Sequence, residues 1–176
     1  MSKRIISLLF VFSLLLSCCG FVLADTDPVS DTKLRLSSTV NTNYVLNVYT
    51  DGTPELDDQV RMWVWDNNGT QWWKTCQYMT YGGIPAFILP LYSYPTLMLN
   101  DYHPQSGHYC TLYTSTNNYY TDICFYWEKP GNYYQLYLFG HGRYLDADDT
   151  YNGAYCYWSE EPYGTNSYQR WAVTEP

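Results

Sequence analysis

The chain has 176 residues and a formal charge of −8, with 17 acidic against 9 basic side chains. Nucleic-acid affinity is carried largely by Lys and Arg, so this balance repels phosphate backbones and argues against nucleic acid as a partner. With 21 Tyr and 7 Trp in a chain only 15% charged, and no sustained 3.6-residue apolar period, the composition excludes a helical fold and points to an all-β one.

In chain order, Lys3 and Arg4 precede an apolar run from Ile5 to Leu16, and Val22-Leu23-Ala24 offers small or aliphatic residues where a signal peptidase reads. Residues 1–24 therefore read as a secretory leader cleaved after Ala24. Lipidation of Cys18 in Leu15-Leu16-Ser17-Cys18 is the competing reading, which would tether a bacterial protein to its membrane. The apolar run continuing to Leu23 favours simple cleavage. That run is shorter than the roughly 20 residues needed to span a bilayer, so no integral anchor is expected in the mature form. Loss of Lys3 and Arg4 leaves 7 basic against 17 acidic side chains. Residues 25–32 read as a linker, and 33–176 as one domain, because about 152 residues suffice for one core but not two.

Beyond the linker the sequence echoes itself. The phrases Tyr44-Val45-Leu46-Asn47, Leu97-Met98-Leu99-Asn100 and Arg143-Tyr144-Leu145-Asp146 each close an apolar pair with a short polar residue. A second track runs through Val60-Arg61-Met62-Trp63, Tyr109-Cys110-Thr111-Leu112 and Tyr155-Cys156-Tyr157-Trp158. The third is Gln71-x-Trp73, a degenerate Asp122-x-Cys124, and Gln169-x-Trp171. All three agree on a period of 46–53 residues, the mark of three homologous units. Each unit holds about four short strands and cannot bury its apolar face alone. Three arranged about a pseudo-threefold axis close a small barrel capped by hairpins, with Leu34-Arg35-Leu36 opening the fold and Trp171-Ala172-Val173 returning beside it.

Cys76, Cys110, Cys124 and Cys156 survive maturation, and an even number in a secreted chain predicts two disulfides. Three connectivities are open; Cys110 with Cys124, within one repeat, is the pairing favoured here. No Cys-x-x-Cys or close Cys/His spacing suggests a metal. Asp146, Asp148 and Asp149 could gather a weak calcium site, although the Gly and distal Glu of an EF-hand loop are missing. No nucleophile elbow, zinc-protease helix or phosphate loop is present, and no cofactor motif is found. His103, His108 and His141 sit in Gly- or Pro-containing loops and read as solvated. Asn68-Gly69-Thr70 is a glycosylation sequon and, equally, an Asn-Gly turn signal.

The apolar-apolar-Asp phrase, the alternating phrase ending in Trp and the Gln-x-Trp closure together resemble the ricin-type β-trefoil lectin domain, over residues 33 to 174. The resemblance implies a non-catalytic module that binds glycans, of galactose or xylan type. It places Trp73 and Trp171 in the core, with Gln71 and Gln169 in support of the sites. In the third repeat it implies Asp146 as the hydroxyl acceptor and Trp158 as the aromatic platform. Tyr168 stands where binding repeats commonly carry Asn, and Asn166 is the candidate to compensate. In the first repeat Asn47 replaces the Asp, Trp63 keeps the platform and Thr70 precedes Gln71. The second repeat, with Asn100 and Asp122-x-Cys124, is expected not to bind. A trefoil used as a protein-interaction surface, such as a protease inhibitor or a toxin or adhesion subunit, is the rival reading.

Overall fold

The computed structural model describes residues 31–101, 109–114, 120–138, 140–160 and 166–176. The leader, Cys18, most of the linker, His103 and His108 lie outside these residues. Wherever apolar side chains alternate with polar or tyrosyl ones, the backbone is extended, with one face of the pleat inward. The first unit contributes β1 (Lys33–Ser38), β2 (Tyr44–Tyr49), β3 (Gln59–Val64), β4 (Trp73–Lys74) and β5 (Cys76–Tyr81). The second has β6 (Ile84–Ile88), β7 (Pro90–Leu91), β8 (Tyr94–Asn100), β9 (Thr111–Thr114) and β10 (Phe125–Glu128). The third has β11 (Gln135–Leu138), β12 (Arg143–Ala147), β13 (Cys156–Ser159) and β14 (Trp171–Thr174). Among the described residues the α-helical content is one turn, α1 (Tyr120–Ile123).

Pairing makes the threefold relation explicit. Trp73 stands opposite Leu34 of its own unit and Leu91 of the next; Phe125 stands opposite Phe87 and Leu138; Trp171 stands opposite Tyr134 and, around the circle, Ser38. The strand carrying this aromatic thus bridges an early strand of its own unit and one of its successor, and the β1–β4 pairing closes the larger, eight-stranded sheet. β14 returns beside β1 as expected, with Val173 opposite Leu36 and Ala172 opposite Ser37. Inside, Leu46 faces Met62, Leu99 faces Leu112 and Leu145 faces Trp158 across three equivalent hairpins. These six are at most 3% exposed. The architecture is a β-trefoil.

Trp73 and Trp171 are fully buried, and each satisfies its one polar atom by donating its indole N–H to a core-strand carbonyl, Leu46 at 3.0 Å and Leu145 at 3.1 Å. In the second unit the sequence alignment requires a correction. The structural counterpart of these tryptophans is Phe125, not Cys124; an aromatic core residue is retained one position further on, and Cys124 packs instead with Ala86, Met98 and Ile123.

The expected disulfides are likewise corrected: all four described cysteines are free thiols, and Cys110 is not joined to Cys124. Cys110 and Cys156 are the threefold counterparts of Val60. The Val60 N–H donates to the Cys110 carbonyl at 2.8 Å, and the Cys110 N–H to the Cys156 carbonyl at 2.9 Å. At these positions the thiol serves as a small apolar group close to the axis. Burial pushes Cys110 and Cys156 well up and Cys124 up to about 12, so their thiolates are inaccessible near neutral pH. Cys76 is half-buried, with Sγ 3.5 Å from Asp31 Oδ1, and is also raised, chiefly by burial.

The hairpin of β5 and β6 is anchored through Phe87, opposite Phe125, and its tip is exposed. Its two-residue loop, Gly82-Gly83, has φ of 59° and 88°, the left-handed pair that a tight hairpin turn requires. No charged residue occurs from Thr75 to Asn100, and Tyr78, Tyr81 and Ile84 are each at least 50% exposed.

Candidate functional site

The two tryptophans proposed as platforms face opposite ways. On β13, Cys156 and Trp158 point inward while Tyr157 and Ser159 point outward. On β3, Val60 and Met62 point inward while Arg61 and Trp63 lie on the other face. Because side-chain direction has a period of two, a one-residue difference in register reverses the face. Trp158 is therefore the counterpart of Met62, 3% exposed, with its indole N–H donating to the Asn100 carbonyl at 3.3 Å. Its expected role as a platform is corrected: Trp158 is core, and Ser159 occupies the outward position.

The third-repeat polar residues do come together. Asp146 is fully buried, and its Oδ2 accepts from Asn166 Nδ2 at 2.7 Å and from Gln169 Nε2 at 3.3 Å. Asn166 also caps a 3₁₀ turn, Ser167–Gln169, through its Oδ1, which accepts from the Tyr168 N–H at 2.9 Å. The carboxylate expected to receive sugar hydroxyls thus binds the chain's own amides and anchors the segment that leads into β14.

In the first repeat the same elements are arranged differently. Gln71 is also fully buried, but its amide serves the backbone: Nε2 donates to the Val64 carbonyl at 2.8 Å, and Oε1 accepts from the Asp66 N–H at 3.0 Å. These bonds fold residues 64–71 into a loop whose closing 3₁₀ turn, Gly69–Gln71, is capped by Asn68, which accepts from the Thr70 N–H at 2.9 Å. Asn47 Oδ1 accepts from Thr70 Oγ1 at 2.9 Å, and Asn47 Nδ2 donates to the Val48 carbonyl at 2.8 Å. Around this pair opens a depression of about 340 Å³, lined by Asn47, Tyr49, Asp51, Trp63, Asn68 and Thr70 among others. The Trp63 ring centroid is 5.9 Å from that of Tyr49, and a β-carbon at Gly153 would stand 3.9 Å from its Cζ3. The third-repeat loop therefore lies against the indole. Asp51 is exposed and brings a carboxylate that sequence reasoning missed. Its signal was the Val48-Tyr49-Thr50-Asp51 text directly after the strand phrase ending in Asn47.

In the second repeat, Asp122 Oδ1 lies 2.8 Å from His141 Nε2, so His141 is hydrogen-bonded to a neighbouring unit rather than simply solvated. Arg143 bridges Asp101 at 3.2 Å and Glu160 at 3.0 Å. Among the described residues no group of three or more His, Cys, Asp or Glu is arranged to hold a metal, and no helix is long and apolar enough to cross a membrane.

No family model and no curated protein matches the chain. Solved structures do. A mosquitocidal holotoxin superposes with a TM-score of 0.72 at 18% identity over 87% of this chain, which spans only 18% of that one. A designed threefold-symmetric protein, ThreeFoil, gives 0.65 at 14% identity, covering 82% of this chain and 99% of that one. A ricin B-like lectin from Macrolepiota procera, solved in complex with lactose, gives 0.63 at 15% identity, covering 86% of this chain and all of that one. At such identities the likeness is one of backbone: the chain has the β-trefoil fold of ricin B-like lectins.

Proposed function

We propose that the chain is a secreted carbohydrate-binding module, with no chemistry of its own, whose working site is the first repeat. The observation that carries this reading is the convergence of an indole, a carboxylate and an amide–hydroxyl pair, from Trp63, Asp51, Asn68 and Thr70, in one open depression. A pyranose needs an aromatic face for its apolar side and a few fixed polar groups for its hydroxyls. A carboxylate suits the second task because each oxygen accepts two hydrogen bonds. The Macrolepiota lectin with its lactose supports a galactose-type ligand. The leader-like run after Lys3-Arg4 supports secretion. One shallow site of this kind binds at about millimolar, near −4 kcal/mol. A glycan array with the wild-type chain and Trp63→Ala tests the reading: binding lost in the variant supports it, and no wild-type binding to any glycan overturns it.

A second reading, a protein-interaction module, is favoured by one observation: the uncharged β5–β6 hairpin exposes Tyr78, Tyr81 and Ile84 together. The holotoxin, of which this chain matches a part, is in keeping with such a role. Silence on the glycan array would favour this reading.

A further inference from the structure

The end of the barrel where the three β3-like strands meet carries a second recess, distinct from the first-repeat depression. Its volume is about 260 Å³, and Tyr109, Asp148, Tyr155 and Tyr157 line it. Its position follows from the pairing. Val60, Cys110 and Cys156 surround the axis inside, so the residues before them, Gln59, Tyr109 and Tyr155, form the equivalent outer ring. Tyr109 pairs with Tyr157 across a bridge between the second and third units, and the rings of Tyr109 and Tyr155 lie 4.6 Å apart at 36°. The Asp148 N–H donates to the Tyr155 carbonyl at 2.9 Å, which fixes an exposed carboxylate beside the rings.

We propose that this axial recess is a second saccharide subsite, taking one neutral pyranose ring. Tyr109 and Tyr157 supply apolar surface with hydroxyl tips, Tyr155, packed against Tyr109 and Arg61, holds that surface in place, and Asp148 supplies paired acceptors for vicinal sugar hydroxyls. The volume lies below the roughly 300 Å³ at which drug-sized pockets begin, which suits a single ring. Charge decides between ligand classes. A quaternary ammonium would also be drawn to tyrosine faces, but the Arg61 guanidinium already stacks on Tyr155 at 4.4 Å from its centroid, with Nη2 3.3 Å from the phenol oxygen. The same guanidinium carbon lies 4.2 Å from the centroid of the Tyr49 ring. A second cation would meet that charge. An anion would meet Asp148 and a chain of net charge −8. A neutral polyol meets neither obstacle.

The subsite shares its ligand class with the first-repeat reading but not its residues. The test is a titration of the ¹⁵N-labelled chain with lactose and with xylobiose, followed at the backbone amides, for wild type, Trp63→Ala, Asp148→Asn and Tyr109→Ala. The subsite predicts saturable shifts at Tyr109, Asp148, Tyr155 and Tyr157 that persist in Trp63→Ala. Asp148→Asn should weaken them by about tenfold or more, with the shifts near Trp63 unchanged. Tyr109→Ala should do the same. Shifts confined to the surroundings of Trp63 would overturn the subsite and leave the first-repeat reading standing. Shifts confined to the axis would do the reverse, and shifts at neither would overturn both. Saturable binding of tetramethylammonium at the axis in place of either sugar would overturn the neutral-ligand assignment.

Discussion

The first and third repeats carry nearly the same text and put it to different uses. In the third, Gln169 and Asn166 both turn onto Asp146, so the carboxylate is consumed by the fold. In the first, Gln71 serves the backbone at Val64 and Asp66, Asn47 is held by Thr70, and the space beside Trp63 stays open. The presence of a motif therefore does not decide whether a trefoil site is available; what decides it is which partner the buried amide takes and which face the aromatic occupies. A polar residue that closes a loop by hydrogen bonding is spent on stability, and a neighbouring repeat with a different partner is left free to bind.

Tryptophan substitutions test that contrast with the largest expected effects. Trp171→Ala and Trp158→Ala should each cost about 3–5 kcal/mol in urea unfolding, because both empty a fully packed site and remove an indole bonded to a carbonyl. Trp63→Ala should cost less than about 1 kcal/mol, since its indole is only partly buried. Comparable losses at Trp63 and Trp158 would erase the distinction between the repeats. Next in size is Asp146→Ala, which should destabilise by about 1–3 kcal/mol by leaving the Gln169 and Asn166 amides without their acceptor. It should leave lactose affinity unchanged, whereas Asp51→Asn should leave the melting temperature unchanged and weaken lactose binding.

One repeat track was legible in the sequence throughout, and the Gln-x-Trp track in its first and third members, with the second-unit aromatic one residue later at Phe125. Leu46, Leu99 and Leu145 each follow an apolar or tyrosyl residue and precede a short polar one, and each proves to be a core position. Gln71-x-Trp73 and Gln169-x-Trp171 keep the buried amide and the buried indole at one spacing. The β3 track failed by one residue because it was anchored on tryptophan as a letter rather than on alternation. In Gln59-Val60-Arg61-Met62 the polar and apolar residues alternate clearly. In Tyr155-Cys156-Tyr157-Trp158 tyrosine, with an apolar body and a polar tip, suits either face and hides the parity. The disulfides failed for a related reason: Cys110 and Cys156 were read as a secreted framework, yet they take the place of Val60 around the axis. Residue counting could not reveal which partner Gln169 would take.

The cysteines give a further check. Thiol titration of the denatured, unreduced chain beginning at Asp25 should return four thiols, and a count of zero would restore the two disulfides. Glu128 gives the smallest effect and a contrast with Asp146. It has one described donor, the Tyr144 hydroxyl at 3.4 Å, and burial outweighs that bond and raises its carboxyl above the usual 4.5. The folded chain then holds this proton to higher pH than the unfolded chain does, so stability falls as pH rises from 4.5 through the raised value. Glu128→Gln should flatten that fall in urea melts between about pH 4 and pH 7. An unchanged slope would show that the Tyr144 bond is the stronger influence.

The claim that the first repeat binds and the third does not is tested most directly by titrating lactose against Trp63→Ala and Asp146→Ala, with both variants confirmed folded by their melts. The account predicts that binding at the first-repeat depression is lost in Trp63→Ala and retained in Asp146→Ala. Loss in Asp146→Ala with retention in Trp63→Ala would contradict it and return the site to the third repeat.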